Sequence, residues 1–297
     1  MPIVGNNFTQ LTDFDPLLTE IFYQSYAAVP PKRSQIFGVR TSTKAKETDL
    51  QVGSFSDPVS FNGKVEYDSP ERGYEIVYTH GHLTKGFQIE QTMLEDMQYD
   101  GIFSRAQEMG TAFARKQEKD AASVFNNAFA TVLGFDGKTL CANDHPRSRT
   151  DSTAVDNYLT LALTADNLET AVTTLQALKD DRGEEITIMP DTLIVPRALR
   201  KTGLELVGSE LNPESANNAI NVHQGMRLIV WEYLTDTNAW FVIDSMMAKR
   251  YLKWFDRITP EFAAEDSFDT LLRKYRGRMR YSYGWSDFRW IVGSNPS

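Results

Sequence analysis

Between about Asp100 and Ala130 the apolar residues fall at helical steps, and no other stretch of this 297-residue chain constrains its folding as strongly. Ala106, Gly110, Phe113, Gln117, Ala121, Val124 and Ala128 recur every three or four positions, and Phe103, Met109, Phe125 and Phe129 widen the stripe. The spacing predicts one long amphipathic helix, about 45 Å in length at 1.5 Å per residue. The preceding QIEQTMLEDMQYD predicts a short helix that breaks at Gly101.

Ahead of that helix the chain reads differently. Asp15 and Pro16 form an N-cap and first-turn pair for a short helix through Leu17, Leu18, Ile21, Phe22 and Tyr26, which Pro30 and Pro31 end. Residues 1–40 therefore read as an arm. Residues 41–88 read as extended chain, with Val52, Phe55, Val59, Phe61, Val65, Tyr67, Tyr74, Ile76 and Tyr78. Asn62-Gly63 stands between Phe61 and Val65. Both residues accept positive φ, so the pair predicts a hairpin turn, with Lys64 just after it. A long hairpin with few large aliphatic residues cannot bury itself alone. It is expected to lie on its own chain or on a neighbour.

From 136 to 259 helix and strand alternate, predicting a compact α+β or α/β unit. GFDGKTLCANDHPRSRTDST reads as a polar loop. Thr164 can cap a helix from Ala165 to about Asp180, Thr192–Val195 reads as a buried strand, and Pro196 opens a helix to about Gly208. LNPESANNAINVHQG reads as a loop, and Leu228–Leu234 and Trp240–Asp244 as strands joined by the turn TDTN. In the tail, Lys274, Arg276, Arg278 and Arg280 fall on one face of a strand, and Tyr275, Gly277, Met279, Tyr281 and Tyr283 on the other. Trp285–Val292 is expected to return as a second strand.

Composition excludes several classes. A hydrophobic content of 41% is enough to bury a sizeable core. No apolar run approaches the roughly 20 residues of a membrane span, so no membrane partner is expected. The one cysteine, Cys141, cannot form an internal disulfide and belongs to no zinc spacing. A net charge of -9 argues against a dedicated nucleic-acid binder.

Chemistry-bearing motifs are sparse. There is no Gly-rich phosphate loop and no Gly-x-Ser-x-Gly elbow. His80 and His82, two apart on a strand, could face a metal together, but they lack a third ligand nearby and also suit an interface. Cys141 and His145 could pair as nucleophile and base, yet with Asn143, Asp144 and Pro146 they read more simply as a turn. No catalytic residue and no cofactor is expected. The basic strand, with Arg273, can pair with carboxylates, contact phosphate or stay solvated. Protein pairing is the favoured reading. Glu261, Glu265, Asp266 and Asp269 are in-chain candidates, and Glu47, Asp49, Asp57, Glu66 and Asp68 could come from a neighbour's hairpin.

Several strings carry a family resemblance. Gly86-Phe87-Gln88-Ile89 precedes the long helix, Val124-Phe125-Asn126-Asn127-Ala128-Phe129 closes it, and Asp136-Gly137-Lys138 and Asp144-His145-Pro146 follow. Then come Thr192-Leu193-Ile194-Val195-Pro196, Trp240-Phe241-Val242-Ile243-Asp244 and Tyr283-Gly284-Trp285. In this order they resemble the tailed-bacteriophage major capsid proteins of the Hong Kong 97 fold, and within them the Mu-like major head subunit group. The resemblance implies an α+β capsid fold with four parts. They are an N-terminal arm (1–40), an extended β-hairpin loop (41–88), a peripheral domain with a long spine helix (89–135 and 260–297) and an axial domain (136–259).

It also implies a structural role without enzymatic activity. Copies would assemble as a homo-oligomer of hexamers and pentamers into an icosahedral virion shell around double-stranded DNA, built in the host bacterial cytoplasm. Asn62, Gly63, Lys64, Arg276, Arg278 and Arg280 are the contact candidates. A portal protein and decoration proteins are implied partners. Because the chain begins almost directly with the arm, a separate scaffolding protein is expected. Lys44, Lys46 and Lys64 lie where some family members carry a crosslinking lysine, but no motif marks an acceptor. An encapsulin-type nanocompartment shell is the alternative, and a soluble α/β enzyme a more distant one.

Overall fold

The apolar stripe does form one helix: in the computed structural model it runs unbroken from Tyr99 to Asn126, about 42 Å at 1.5 Å per residue. The structure describes residues 11–65, 67–69, 71–96, 98–130, 134–211, 220–267 and 271–296. The first ten residues of the expected arm, Glu66, Asp269 and most of the loop around 211–219 lie outside the described residues. In chain order the first elements are α1 (Asp15–Ala27), α2 (Arg33–Ile36), β1 (Gly38–Thr41), β2 (Lys46–Val52), β3 (Arg72–Thr79), β4 (Gly81–Glu90), α3 (Gln91–Glu95) and α4 (Tyr99–Asn126). Next come β5 (His145–Pro146), β6 (Ala154–Val155), β7 (Tyr158–Leu159), α5 (Ala165–Gln176), β8 (Thr192–Val195), α6 (Arg200–Gly208) and β9 (Arg227–Val230). The last are β10 (Trp240–Ile243), α7 (Ser245–Tyr251), β11 (Leu252–Ser267), β12 (Leu272–Trp285) and β13 (Ile291–Ser294).

Gly101 does not break the helix. It is the third residue of α4, where a backbone N–H lacks an intrahelical acceptor anyway, so its weak propensity costs little there. The interruption falls instead between Glu95 and Tyr99. Asp15 is likewise not the N-cap of α1. Phe14 holds that position without a side-chain bond. The Asp15 carboxylate is taken by a tertiary cation, Arg273, and by the Tyr275 hydroxyl at 2.9 Å. α1 lies close on α4 because Gly110 lacks a side chain: a Cβ there would sit 2.4 Å from the Phe22 carbonyl oxygen.

Among the described residues the long strands β4, β11 and β12 join the short β1 in one sheet, in the order β1-β11-β12-β4. Its inner face presents Tyr275, Gly277, Met279 and Tyr281 toward the helices, so the alternation expected of β12 is realised. β4, expected within the extended loop, is hydrogen-bonded to β12 from Gly81 to Glu90. The second sheet has the order β7-β13-β10-β8-β9. β8 and β10 are buried at every position. Strands buried on both faces must be interior, so β8 lies between β9 and β10, and the TDTN turn does not join a hairpin. Trp285–Val292 does not return along β12 either. The segment crosses over, and β13 enters the second sheet between β7 and β10. Trp290 anchors the crossing, with its indole N–H donating to the Asp287 carbonyl at 2.7 Å. α4 wedges between the two sheets, and Phe125 meets Trp231, Phe241 and Trp290 at ring distances of 5.5, 5.3 and 6.2 Å.

Candidate functional site: the exposed hairpin and the basic sheet face

The hairpin is built from β2 and β3, paired antiparallel from Lys46↔Thr79 to Val52↔Arg72. Beyond them, among the described residues, no ladder continues to the tip. Asn62 and Gly63 do turn the chain, with Gly63 at φ +98° and the Lys64 N–H donating to Asn62 Oδ1 at 3.3 Å. The flanking residues Phe61 and Val65 are not paired as strands, which corrects the expected tight hairpin. The local turn signal is right, but among the described residues nothing covers this stretch to reward pairing. Val52, Phe55, Val59, Phe61, Val65 and Tyr67 are all exposed, Phe61 by 77% and Tyr67 by 92%.

The base of the hairpin is tied down by polar contacts. Lys253 pairs with Asp49, Gln51 donates to Asp287 at 3.2 Å, and the Thr150 hydroxyl donates to Glu71 at 2.5 Å. Where the ladder ends, the turn at 180–184 takes over. Both Asp181 carboxylate oxygens accept the Ser54 N–H, at 3.0 and 3.1 Å. Arg182 Nε donates to the Ser54 carbonyl at 2.8 Å, and its Nη2 to Asp68 Oδ1 at 2.8 Å. Asp68 Oδ2 in turn accepts the Ser56 N–H at 2.8 Å. That N–H, then Arg182, holds the Asp68 carboxyl below its ordinary pKa. Burial pushes Asp181 up, but the Ser54 hydroxyl and N–H outweigh it and leave the group lowered. Sequence reading missed this clasp. Its one local signal was Asp180-Asp181-Arg182-Gly183, a turn tetrapeptide in which Gly183 takes φ +90°.

On the sheet face away from the helices stand Lys274, Arg276, Arg278 and Arg280. Arg278 Nε reaches Glu261 Oε2 of β11 at 2.6 Å, one of the in-chain pairings expected. Both groups are about half exposed, so the pair is worth about 0–1 kcal/mol. Arg276 lies opposite Gly86 and Ala263. Arg280 is opposite His82, and its buried Nε has no acceptor among the described residues. Arg273 belongs to the other face, because strand parity turns it inward, where Asp15 and Asp266 hold it. Those hydrogen bonds, Asp15 first, raise its pKa. Of the hairpin carboxylates expected to reach a neighbour, Glu47 accepts from Ser42 and Lys44, Asp49 from Lys253 and Asp68 from Arg182. Asp57 has no partner among the described residues.

The other motifs do not come together chemically. His80 is buried between the hydroxyls of Ser42 and Ser282, at 3.1 and 3.0 Å, while His82 is exposed. Burial and then Arg280 lower the His80 pKa. Among the described residues no three His, Cys, Asp or Glu side chains are grouped to hold a metal. The ring nitrogens of His145 lie 2.5 Å from Asp136 Oδ2 and 3.3 Å from the Leu140 carbonyl, and its ring stacks on Phe288 at 3.9 Å. Cys141 is buried against Gly293, and burial raises its thiol pKa far above the usual range. The stretch read as a polar loop is a loop, and Leu140, Cys141 and His145 pin it to the core. We expect Cys141 to resist iodoacetamide at pH 8 in the native subunit and to react in denaturant. Equal labelling rates in both states would show that the loop is open.

A family model described as phage capsid protein matches residues 73–294. No curated protein matches the chain by sequence. Among solved structures, the capsid of bacteriophage JBD30 decorated with minor capsid protein trimers is 18% identical with a TM-score of 0.57, covering 70% of this chain and 92% of its own. The capsid of cyanophage P-SCSP1u is 12% identical, with a TM-score of 0.57 and coverages of 89% and 87%. The virus-like particle from Pyrococcus furiosus is 12% identical, with a TM-score of 0.52 and coverages of 94% and 98%. At such identities these likenesses carry the fold.

Proposed function

This chain belongs to the phage capsid protein family, and from that premise we propose that the hairpin and the basic sheet face are the surfaces through which its copies join. It is a structural protein of a phage capsid and a component of the virion. The observation that carries the proposal is the hairpin: six large apolar side chains between Val52 and Tyr67 are exposed, with no cover among the described residues. A contiguous exposed apolar strip marks an interaction site, and a neighbouring subunit is the partner a shell supplies in every position.

In this reading the arm is 1–40 and the extended loop 41–88. The peripheral part (89–135 and 260–297) is built around α4 and the four-stranded sheet, and the axial part (136–259) around the five-stranded one. Hexamers and pentamers of the subunit close a shell around double-stranded DNA. Shell growth in the host cytoplasm uses a separate scaffolding protein and a portal protein. The trimer-decorated JBD30 capsid supports decoration proteins as further partners. Asn62, Gly63 and Lys64 form the reaching tip. Arg276, Arg278 and Arg280 hold protein rather than packaged DNA, supported by the Arg278–Glu261 pair. A nanocompartment shell, the alternative, rests on the fold alone, through the Pyrococcus furiosus particle. Cargo retained on purification would favour it.

Sedimentation and electron microscopy test the proposal. With scaffolding protein present, the wild-type chain should form closed shells, and a Phe55→Asp/Phe61→Asp variant should stay as small oligomers. Its monomer stability should move by no more than about 0.5 kcal/mol, as for surface changes. Arg278→Glu should impair assembly, with rescue by Asp57→Arg. Normal empty shells from Arg278→Glu, defective only in DNA packaging, would instead assign the basic face to phosphate.

A further inference from the structure

We infer that Asp181 and Arg182 are positioning residues for assembly: the turn at 180–184 clasps both limbs of the hairpin and sets the angle at which it reaches its neighbour. The inference rests on the proposed role of the hairpin and adds the part of the chain that aims it. A two-stranded ribbon is marginal alone, so its direction must be fixed at its base. The β2–β3 ladder stops at Val52↔Arg72. At Ser54 the two side chains take the place of a missing strand. The Asp181 carboxylate accepts the N–H of Ser54, and Arg182 donates to the C=O of the same residue. Arg182 also bonds Asp68 on the returning limb, and Asp68 accepts from Ser56 on the outgoing one. One turn therefore pins both limbs. There is no slack, because a Cβ on Gly53 would stand 2.6 Å from Asp181 Oδ2.

The clasp is mounted rigidly. Asp180 Oδ1 accepts the N–H groups of Arg182 and Glu184, at 2.9 and 2.8 Å. Just before the turn, buried Arg289 donates to the Lys179 carbonyl at 2.7 Å while paired with Asp287. The angle matters because of leverage. From Ser54 to Gly63 extended chain spans at most about 30 Å, so a tilt of about 10° at the clasp moves the tip by about 5 Å. That exceeds what a close-packed contact tolerates.

Hydrogen exchange and assembly of the full chain test this together. In the isolated subunit, Asp181→Ala should speed exchange of the Ser54 amide by about tenfold or more, as loss of a single closing bond does near a ladder end. Asp181→Asn should retain most of the protection, because its amide oxygen still accepts. Arg182→Asp should likewise loosen 54–56, and adding Asp68→Arg should restore the tie between limbs. With scaffolding protein, the loosened variants should give open sheets or shells of mixed size, and the conservative and swapped variants shells closer to wild type. A common melting temperature across the set separates these effects from misfolding. The inference is overturned if Asp181→Ala leaves exchange at 54–56 unchanged. It is also overturned if the loosened variants build wild-type shells while Phe55→Asp/Phe61→Asp blocks assembly. If that tip variant assembles normally, the hairpin is not the neighbour contact, and the aiming role falls with it whatever the exchange shows.

Discussion

Phe113→Ala should lower the unfolding free energy of the subunit by about 3–5 kcal/mol, the usual cost of truncating a fully packed Phe. Phe113 is 4% exposed and sits where α4 meets both α1 and the long sheet. Its ring packs edge-on to Phe22 at 5.7 Å and covers Gly277 of β12 so closely that a Cβ there would lie 2.6 Å from Cζ. Neither wall can close the hole, because α1 is held by Gly110 and β12 is paired on both sides. The tight contact adds a second expectation. Gly277→Ala alone should destabilise by overpacking, whereas in the Phe113→Ala background the new methyl enters the cavity, so the two costs sum to less than their separate values. Equilibrium urea unfolding of the soluble subunits measures both. A Phe113→Ala protein that unfolds like wild type would mean that the register of α4 is wrong.

Asn157→Ala should cost about 3 kcal/mol or more, although a sequence reader sees only one asparagine in a polar stretch. The side chain is fully buried. Its Oδ1 accepts the Ala142 N–H at 2.9 Å, and its Nδ2 donates to the carbonyls of Leu140 and Ile291 at 3.0 and 3.2 Å. Alanine leaves two buried carbonyls and one half-buried N–H without this partner, at about 1–3 kcal/mol for each buried group before relaxation. The Leu140 carbonyl keeps a contact with His145 at 3.3 Å, which trims the total. The loss should appear as a lower denaturant midpoint and as faster exchange at Ala142. Wild-type exchange at Ala142 in the variant would show that the loop holds its shape without the asparagine.

Reading α4 from the sequence succeeded because a helix writes its buried face into every third or fourth residue, and twelve buried positions repeat that signal. β12 was legible for the same reason at period two. β8 and β10 were found as short apolar runs, but which strand lies beside which was not, since a fully buried strand carries no alternation to say what flanks it. The hairpin turn at Asn62-Gly63 was legible as a turn, yet its pairing was not, because pairing needs a covering surface that local residues do not supply. Arg273 joins the basic residues by charge alone, since alternation already leaves it off their face, and only the fold supplies its partners, Asp15 and Asp266.

Local physics therefore settled on its own the long helix, the alternating basic strand and the cap at Thr164, which accepts the Asn167 N–H at 3.2 Å. Tertiary structure decided what depends on distant partners: that Asp15 serves Arg273 rather than a helix end, that β13 leaves β12 for the other sheet, and that Asp181 and Arg182 grip the hairpin limb at Ser54, more than a hundred residues away. Hydrophobic periodicity is a sum over neighbours in the chain, so it survives in one sequence. A hydrogen bond or ion pair is a single contact between two residues whose separation only the folded chain sets.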